Sequence, residues 1–329
     1  MKESMRRSKS LTVSLALGCA VTAIAAGTAL AAGYPARAVT VVHGFKPGGG
    51  SDQLAQVTQP FLEKVLGQRF VNVYKPGADG AIAWKEVGKL TAPDGYTLTT
   101  CLTPKTQLNA LVNPNAGYAM SDFEPVANMI FDPGILVVAA DSKLKTFKDL
   151  VEAAKQAPGQ VKMSHSGNGG DDWYAGVMIS KLAGVKFNLV PFDGDAPAWQ
   201  AAAGGHVDVS TNNVGVVSGL VLGGKLRALA VYTEKRLAAM PDVPTLKELG
   251  IDLVEGSYRG YLAPKGTPKE IVETLATGLE KVSTDPGFLK ASGAVNMVPA
   301  FMRGDAYRTF LANKQASLAK VVQEMGLRN

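Results

Sequence analysis

Cysteine and histidine are scarce in this chain: Cys19 and Cys101 are the two cysteines, and His43, His165 and His206 are the three histidines. Because Cys19 falls in a leader assigned below to removal, no internal disulfide, zinc cage or redox pair can be built, and the histidines show no metal-ligand spacing. Nucleotide-binding glycine patterns are missing too. Gly48-Gly49-Gly50 has no later glycine in step, and Gly167-Asn168-Gly169 has Asp172 where the last glycine of a dinucleotide fingerprint belongs. There is no P-loop, and no G-x-S-x-G elbow surrounds Ser51, Ser166 or Ser218. Net charge is small: 34 Lys+Arg stand against 28 Asp+Glu, for a formal +6, and Lys2, Arg6, Arg7 and Lys9 against Glu3 hold half of that excess before residue 32. The remainder is too mild and dispersed for a nucleic-acid stripe. No later apolar run reaches the roughly 20 residues needed to cross a bilayer.

What is present begins with an export leader. Residues 1–10 are polar and basic, 11–26 are apolar and small, and Ala29-Leu30-Ala31 is a small-x-small site, so cleavage is expected after Ala31. Lipidation at Cys19 fits less well, since Ala16-Leu17-Gly18 is a poor lipobox and the apolar run continues past the cysteine. No direct membrane insertion is expected of the product. Its length and the chain's 46% hydrophobic content suit two domains with cores of their own.

Hydrophobic periodicity alternates between strand and helix. A β-branched run at 39–42 leads through Phe45 into a glycine loop at 47–52, after which Leu54, Val57, Phe61, Leu62, Val65 and Leu66 recur at helical spacing until Gly67. A strand at 70–74, a loop at 76–80 and a helix at 81–90 repeat the unit. Further strands are predicted at 96–101, 135–140, 161–164, 187–190, 207–210 and 226–231. Helices are predicted at 146–157, with Thr146 as N-cap and Asp149 three residues on, and near 172–183, 197–203, 216–222, 270–282 and 306–325. This alternation predicts an α/β protein with open sheets and a ligand at the carboxyl ends of the strands.

Three strand-to-helix loops carry the chemistry: 47–52, 76–80 and 166–171. Glycine lets backbone approach a ligand closely, and a first helical turn leaves N–H groups unpaired beside a partial positive charge, so carboxylates are favoured there. One helix end contributes about 0.3–1 kcal/mol, up to ~2, whereas micromolar binding needs about 8, so several loops must converge on one ligand. Taken singly, each loop also reads as a tight turn. His165 beside Ser166 reads as a loop histidine ahead of a catalytic base, and Asp171-Asp172 as helix N-terminal charges ahead of a cation site.

The strings Phe45-Lys46-Pro47-Gly48-Gly49-Gly50-Ser51-Asp52, Lys75-Pro76-Gly77-Ala78-Asp79-Gly80, Ala92-Pro93-Asp94-Gly95-Tyr96 and Ser166-Gly167-Asn168-Gly169 resemble the tripartite tricarboxylate transporter receptors, the TctC or Bug family. So do Gly204-Gly205-His206-Val207-Asp208, Pro241-Asp242-Val243-Pro244-Thr245 and Leu262-Ala263-Pro264-Lys265-Gly266, in order along the mature chain.

The resemblance implies a type II-like periplasmic binding protein. Two α/β domains would close like a Venus flytrap on a small carboxylate, which then passes to the permease subunits of a tripartite membrane transporter. It implies no catalysis, cofactor, metal or nucleic acid, and a monomer. One domain would comprise 32–133 with 254–329, the other 134–253. The family's site maps onto Phe45, Gly49, Gly50 and Ser51, with amides and Ser51 Oγ donating, and onto Pro76, Gly77, Ala78 and Gly80. From the other domain it maps onto Ser166, Gly167, Asn168 and Gly169, with Asn212 and Asn213 where the family has a polar residue after a later strand, and Asn212 is the one expected at the ligand. Apart from the resemblance, helical aromatics are usually core residues; Trp173, immediately after the third loop, is alternatively placed to stack on or cover a ligand, and Phe192 reads as a packing residue that neighbours the cleft.

Departures from the family pattern bear on the ligand. Asp79, Asp193, Asp195 and Asp171-Asp172 add negative charge, while Lys46, Lys105 and Arg259 add positive charge, and Arg259 is suited to a bidentate carboxylate contact. These suggest an acid with a hydroxyl, amino or aromatic portion. Equally, the charges could pair with one another on the rim. A sensor input using the same closed receptor, and a secreted hydrolase or isomerase built on His165 or Asp171/Asp172, are the rival functions. Cys101, at a strand end, is expected to be a buried inert thiol.

Overall fold

The computed structural model describes residues 33–324 and residue 326; the leader and cleavage site expected within 1–31 lie outside the described residues. Val39, Val41 and Val42 are β-branched and buried, as a strand covered on both faces requires, and they form β1 (Val39–His43). Leu54, Val57 and Leu62 recur on the buried face of α1 (Gly50–Leu66), which Gly67 ends in the left-handed conformation at φ 70°. Then follow β2 (Phe70–Tyr74), the short helix α2 (Ala81–Lys85), β3 (Thr97–Thr103) and α3 (Lys105–Val112). The helix expected over 81–90 keeps α-helical winding only to Lys85 and widens to π-type winding over Glu86–Leu90. Strands β2 and β3 both run parallel to β1, which needs a crossover at each step.

The next strand, β4 (Phe123–Ala139), organises the whole molecule because it belongs to two sheets. After it come α4 (Phe147–Gln156), β5 (Lys162–His165), α5 (Asp171–Ala183), β6 (Asn188–Pro191), α6 (Asp195–Ala203), β7 (Val209–Asn213), α7 (Val214–Leu222) and β8 (Leu226–Val231). The capping box read at Thr146 is formed: Asp149 N donates to Thr146 Oγ1 at 3.1 Å and Thr146 N donates to Asp149 Oδ2 at 2.9 Å. The chain then returns through β9 (Gly256–Pro264), α8 (Lys269–Ser283), α9 (Pro286–Ala294), β10 (Val298–Arg303) and α10 (Gly304–Glu324).

Strand β4 is antiparallel to β9 from Phe123↔Pro264 to Pro133↔Gly256, then passes to β7 at Gly134↔Asn213 and to β8 at Ile135↔Val231. One sheet runs β2-β1-β3-β9-β4, with β10 also on β4; the other runs β4-β7-β5-β6, with β8 on β4. Both are therefore mixed. Each has its own core. Leu54, Leu62, Met129, Ile130, Leu275 and Leu279 pack together on the first, and Leu136, Leu150, Met163, Ile179, Val209 and Leu229 on the second. The protein is thus a pair of α/β domains. Helix α10 adds a bridge: Tyr307 and Leu311 join the first half, while Leu318 and Val322 pack with Leu108 of α3 and Tyr174 of α5.

Strands β9 and β10 were absent from the pattern reading, and β4 was read only over its last third. In β9 the reason is packing. A Cβ at Gly260 would lie 2.3 Å from the carbonyl oxygen of Ala127, so glycine is required where two bulged strands approach, and glycine weakens the strand signal. Among the described residues, no helix is long and apolar enough to cross a membrane.

Candidate functional site

Both parallel crossovers of the first sheet deliver a loop to the same edge. The loop after β1 and the loop after β2 touch backbone to backbone, since a Cβ at Gly44 would stand 2.7 Å from the Cα of Gly80. The second loop is held in an uncommon form, with Ala78 and Asp79 both at positive φ, 47° and 54°. Non-glycine residues rarely occupy that region, so surrounding structure must over-determine it.

Helix ends supply the polar surface. Gly49, Gly170, Gly194 and Asn213 are the N-caps of α1, α5, α6 and α7, and none of these helices has a side-chain cap. Their first-turn amides therefore remain open to a ligand unless another group reaches them. One is reached: Gly215 N donates to Asp132 Oδ1 at 2.8 Å. Asp52, in the first turn of α1, turns away from the opening, accepting from Gly48 N at 2.8 Å, from Gln56 Nε2 at 2.8 Å and from the Tyr74 hydroxyl.

Behind the first loop lies a buried polar clasp. The Arg259 guanidinium is 1% exposed, with Nη2 2.7 Å from Asp132 Oδ2. It donates to Asn213 Oδ1 and Gln53 Oε1, each at 3.1 Å. It rests directly on Gly50, where a Cβ would stand 2.6 Å from Cζ. Burial pushes the Asp132 carboxyl up to about 6, against the pull of Arg259 and the Gly215 amide. Asn213 also donates through Nδ2 to Asp171 Oδ2 at 2.6 Å, so the clasp joins β9, β4, β7 and α5.

Lys105 links the other two loops. Its Nζ is 3.4 Å from Asp79 Oδ1, donates to the Ser166 carbonyl at 3.2 Å and lies over the Phe45 ring at 5.1 Å. Next to it, His165 is fully buried and burial lowers its imidazole to about 4, so it is neutral near pH 7. With a carbonyl as partner, Nδ1 must be the donor to Gly167 O, at 3.0 Å, leaving Nε2 unprotonated and without a hydrogen-bond partner.

These loops enclose a cavity of about 500 Å³. One wall comprises residues 44–50 and 76–80 with Leu102, Lys105, Ser257 and Arg259, and the facing wall comprises Ser166, Asp171, residues 193–197, Asn213 and Val216. Of the residues expected in the site, Phe45, Gly49, Gly50, Pro76, Gly77, Ala78, Gly80, Ser166, Asp193 and Arg259 line it.

The others stand off the wall. Ser51 is wholly buried behind Gly50, with no partner for its hydroxyl. A Cβ at Gly167 would meet Asp79, and one at Gly169 would meet α3, while Asn168 between them is exposed. Trp173 packs into the apolar cluster of Leu108, Tyr174 and Leu318, and Phe192 into that of Ala201, Ala202 and Val207. Asn212 is buried, donating to Ser210 Oγ at 2.6 Å; strand alternation turns its neighbour Asn213 to the cavity instead. Asp132 and Gln53 were not read from the sequence at all. Asp132 sits in an Asp-Pro-Gly string that looks like a turn, and its one signal is an acidic residue between the apolar runs Met129–Phe131 and Ile135–Ala139.

The family model described as "Tripartite tricarboxylate transporter family receptor" matches residues 54–327. A Cupriavidus necator protein described as "UPF0065 protein in gbd 5′ region" is 33% identical over 294 residues, covering 89% of each chain. Protein BugT of Bordetella pertussis is 30% identical, covering 89% of this chain and 90% of its own. Among solved structures, an R. palustris protein with adipate is 29% identical with a TM-score of 0.84, covering 89% of this chain and 98% of that one. MatC of Rhodopseudomonas palustris with bound malate is 26% identical with a TM-score of 0.80, covering 88% and 100%.

Proposed function

We propose, from the premise that this chain belongs to the tripartite tricarboxylate transporter receptor family, that it is a periplasmic solute receptor. It takes a small carboxylate between its two lobes and delivers it to the membrane subunits of a tripartite transporter. The observation that carries this reading is the convergence of uncapped helix ends and glycine loops from both halves of the chain on one cavity. Its volume of about 500 Å³ suits a metabolite of a few carbons rather than a polymer. The R. palustris structures with adipate and with malate are consistent with a carboxylate occupant.

The mechanism is closure. A ligand that touches both walls stabilises the state in which they face one another, and the transporter reads that state. In this reading the lobes are 32–133 with 254–329, and 134–253. The passage of β4 from one sheet to the other between Pro133 and Gly134 supports that division. The leader directs export and is removed, the receptor works as a monomer, and the ligand leaves chemically unchanged.

The reading is tested with the mature protein, residues 32–329, by thermal-shift and calorimetric titration against mono-, di- and tricarboxylates and amino acids. The expected result is stoichiometric binding of at least one acid, recovered intact after incubation. Conversion of the acid, or no binding by any of them, would overturn it.

A further inference from the structure

This inference rests on the receptor reading and concerns what the occupant must carry besides a carboxylate. The cavity walls hold more carboxylates than their cations balance. Lys105 is engaged by Asp79 at 3.4 Å and Arg259 by Asp132 at 2.7 Å. Asp171, Asp193 and Asp195 also line the cavity, and among the described residues none of them has an ion-pair partner. Directly beside Asp171 the side chain of Asp172 is 1% exposed, and neither of its carboxylate oxygens has a hydrogen-bond partner.

Burial raises the carboxyls of Asp171 and Asp172; at Asp171 this works against the hydrogen bond from Asn213 and the charge of Arg259, Asp171 pushes Asp172 further up, and Asp195 acts on both and on Asp132. A buried carboxylate without a counter-charge is costly, and the strain is relieved by a proton or by a cation. Among the described residues no cationic side chain forms an ion pair with Asp171 or Asp195, and Arg259, paired with Asp132, acts on Asp171 only at longer range.

The two walls differ in sign. On the first, the α1 terminus is uncapped, Asp52 is turned to Gly48 and Tyr74, and Lys46 stands exposed in the loop with no ion-pair partner among the described residues. On the second, the positive ends of α5 and α6 are offset by their own first-turn residues, Asp171 and Asp195.

We infer that the occupant is dipolar: a small carboxylate that also bears an ammonium group. Its carboxylate lies at the loops 44–50 and 76–80 and its ammonium at Asp171 and Asp195.

The test uses matched pairs that differ only in the amino group: succinate with aspartate, glutarate with glutamate, adipate with 2-aminoadipate, propionate with alanine, butyrate with 4-aminobutyrate. Each is titrated calorimetrically into the mature protein at pH 7. A charge-assisted hydrogen bond predicts that in at least one pair the amino member binds roughly tenfold to a hundredfold more tightly. Asp195→Asn, at a half-buried position, should narrow that ratio by weakening the amino member and strengthening its plain partner; Asp171→Asn should do so further, with thermal unfolding as the check on folding. Plain acids binding as tightly as, or more tightly than, their amino partners in every pair overturns this inference and leaves the receptor reading standing. Binding of no acid in the panel overturns both.

Discussion

Asp132 and Arg259 lie on the neighbouring antiparallel strands β4 and β9, and Arg259 Nη2 meets Asp132 Oδ2 at 2.7 Å with both side chains sealed from solvent. Asp132 is the last residue but one before β4 leaves the first sheet, and it also accepts the Gly215 amide at the start of α7. The pair therefore sits at the junction of the two halves, beside the cavity.

Removing either partner leaves the other as an uncompensated buried charge. Asp132→Ala or Arg259→Ala should each cost about 3–5 kcal/mol in chemical denaturation, and the double replacement Asp132→Leu with Arg259→Met should cost clearly less than the sum. Losses below about 1 kcal/mol for both single variants would mean the pair is not the clasp described.

Gly50 is the second sensitive point. A methyl group there meets the guanidinium of Arg259 at 2.6 Å, and that group cannot swing aside without leaving Asp132, Asn213 and Gln53. Gly50→Ala should lower stability by about 1–3 kcal/mol and weaken binding of the acid found to bind. A variant with wild-type affinity and unfolding midpoint would show that the clasp yields more easily than its contacts imply.

The acid side of the stability profile has opposing contributions, with the raised carboxyls of Asp171, Asp172 and Glu255 acting in the same sense as Asp132. Burial lowers His165 from 6.5 to about 4, with Lys105 and Asp79 the charges that face it. The unfolded chain therefore takes up that proton first, and stability falls as pH drops from about 6.5 to about 4. Asp132 runs the other way. Its carboxyl is raised to about 6 by burial, with Arg259, Asp171 and Asp195 around it, so its contribution grows as pH falls from about 6 toward 3.8. Relative to wild type, His165→Gln should gain up to about 3 kcal/mol between pH 7 and pH 4. Denaturant titrations at the two pH values check the sign, and an unchanged difference would contradict a neutral buried His165.

Cys101 is the single cysteine of residues 32–329; it is fully buried and burial raises its thiol. It should resist thiol-specific reagents in the folded protein and react in denaturant, as a colorimetric thiol assay would show. Rapid labelling of the native chain would place it in an opening region.

Much of this architecture could be read along the chain. Val39, Val41 and Val42, the Leu54–Val57–Leu62 spacing and the Thr146/Asp149 cap are local signals, and each appears in the structure as an element of the kind read. Strand β9 was silent because its glycines answer to β4, more than a hundred residues away in sequence, and its one charged residue is buried. Asn212 is the residue the sequence points to, but the register of β7 on β4 turns its neighbour Asn213 to the cavity. Trp173 and Phe192 carry both a packing and a cleft reading in the sequence, and the apolar partners that α10 and α6 offer them decide for packing.

By itself, the order of residues determined the alternation of strand and helix, the glycine loops and the kind of anion chemistry that unpaired amides favour, because each depends on neighbours a few positions apart. Tertiary structure alone decided which charges meet. Arg259 is paired with Asp132 at the cavity wall, while Asp171 and Asp195 face the cavity with no ion-pair partner among the described residues. Those outcomes depend on contacts between segments far apart in the chain, and Coulomb energy in a buried site is set by distance and burial, neither of which is written in local sequence.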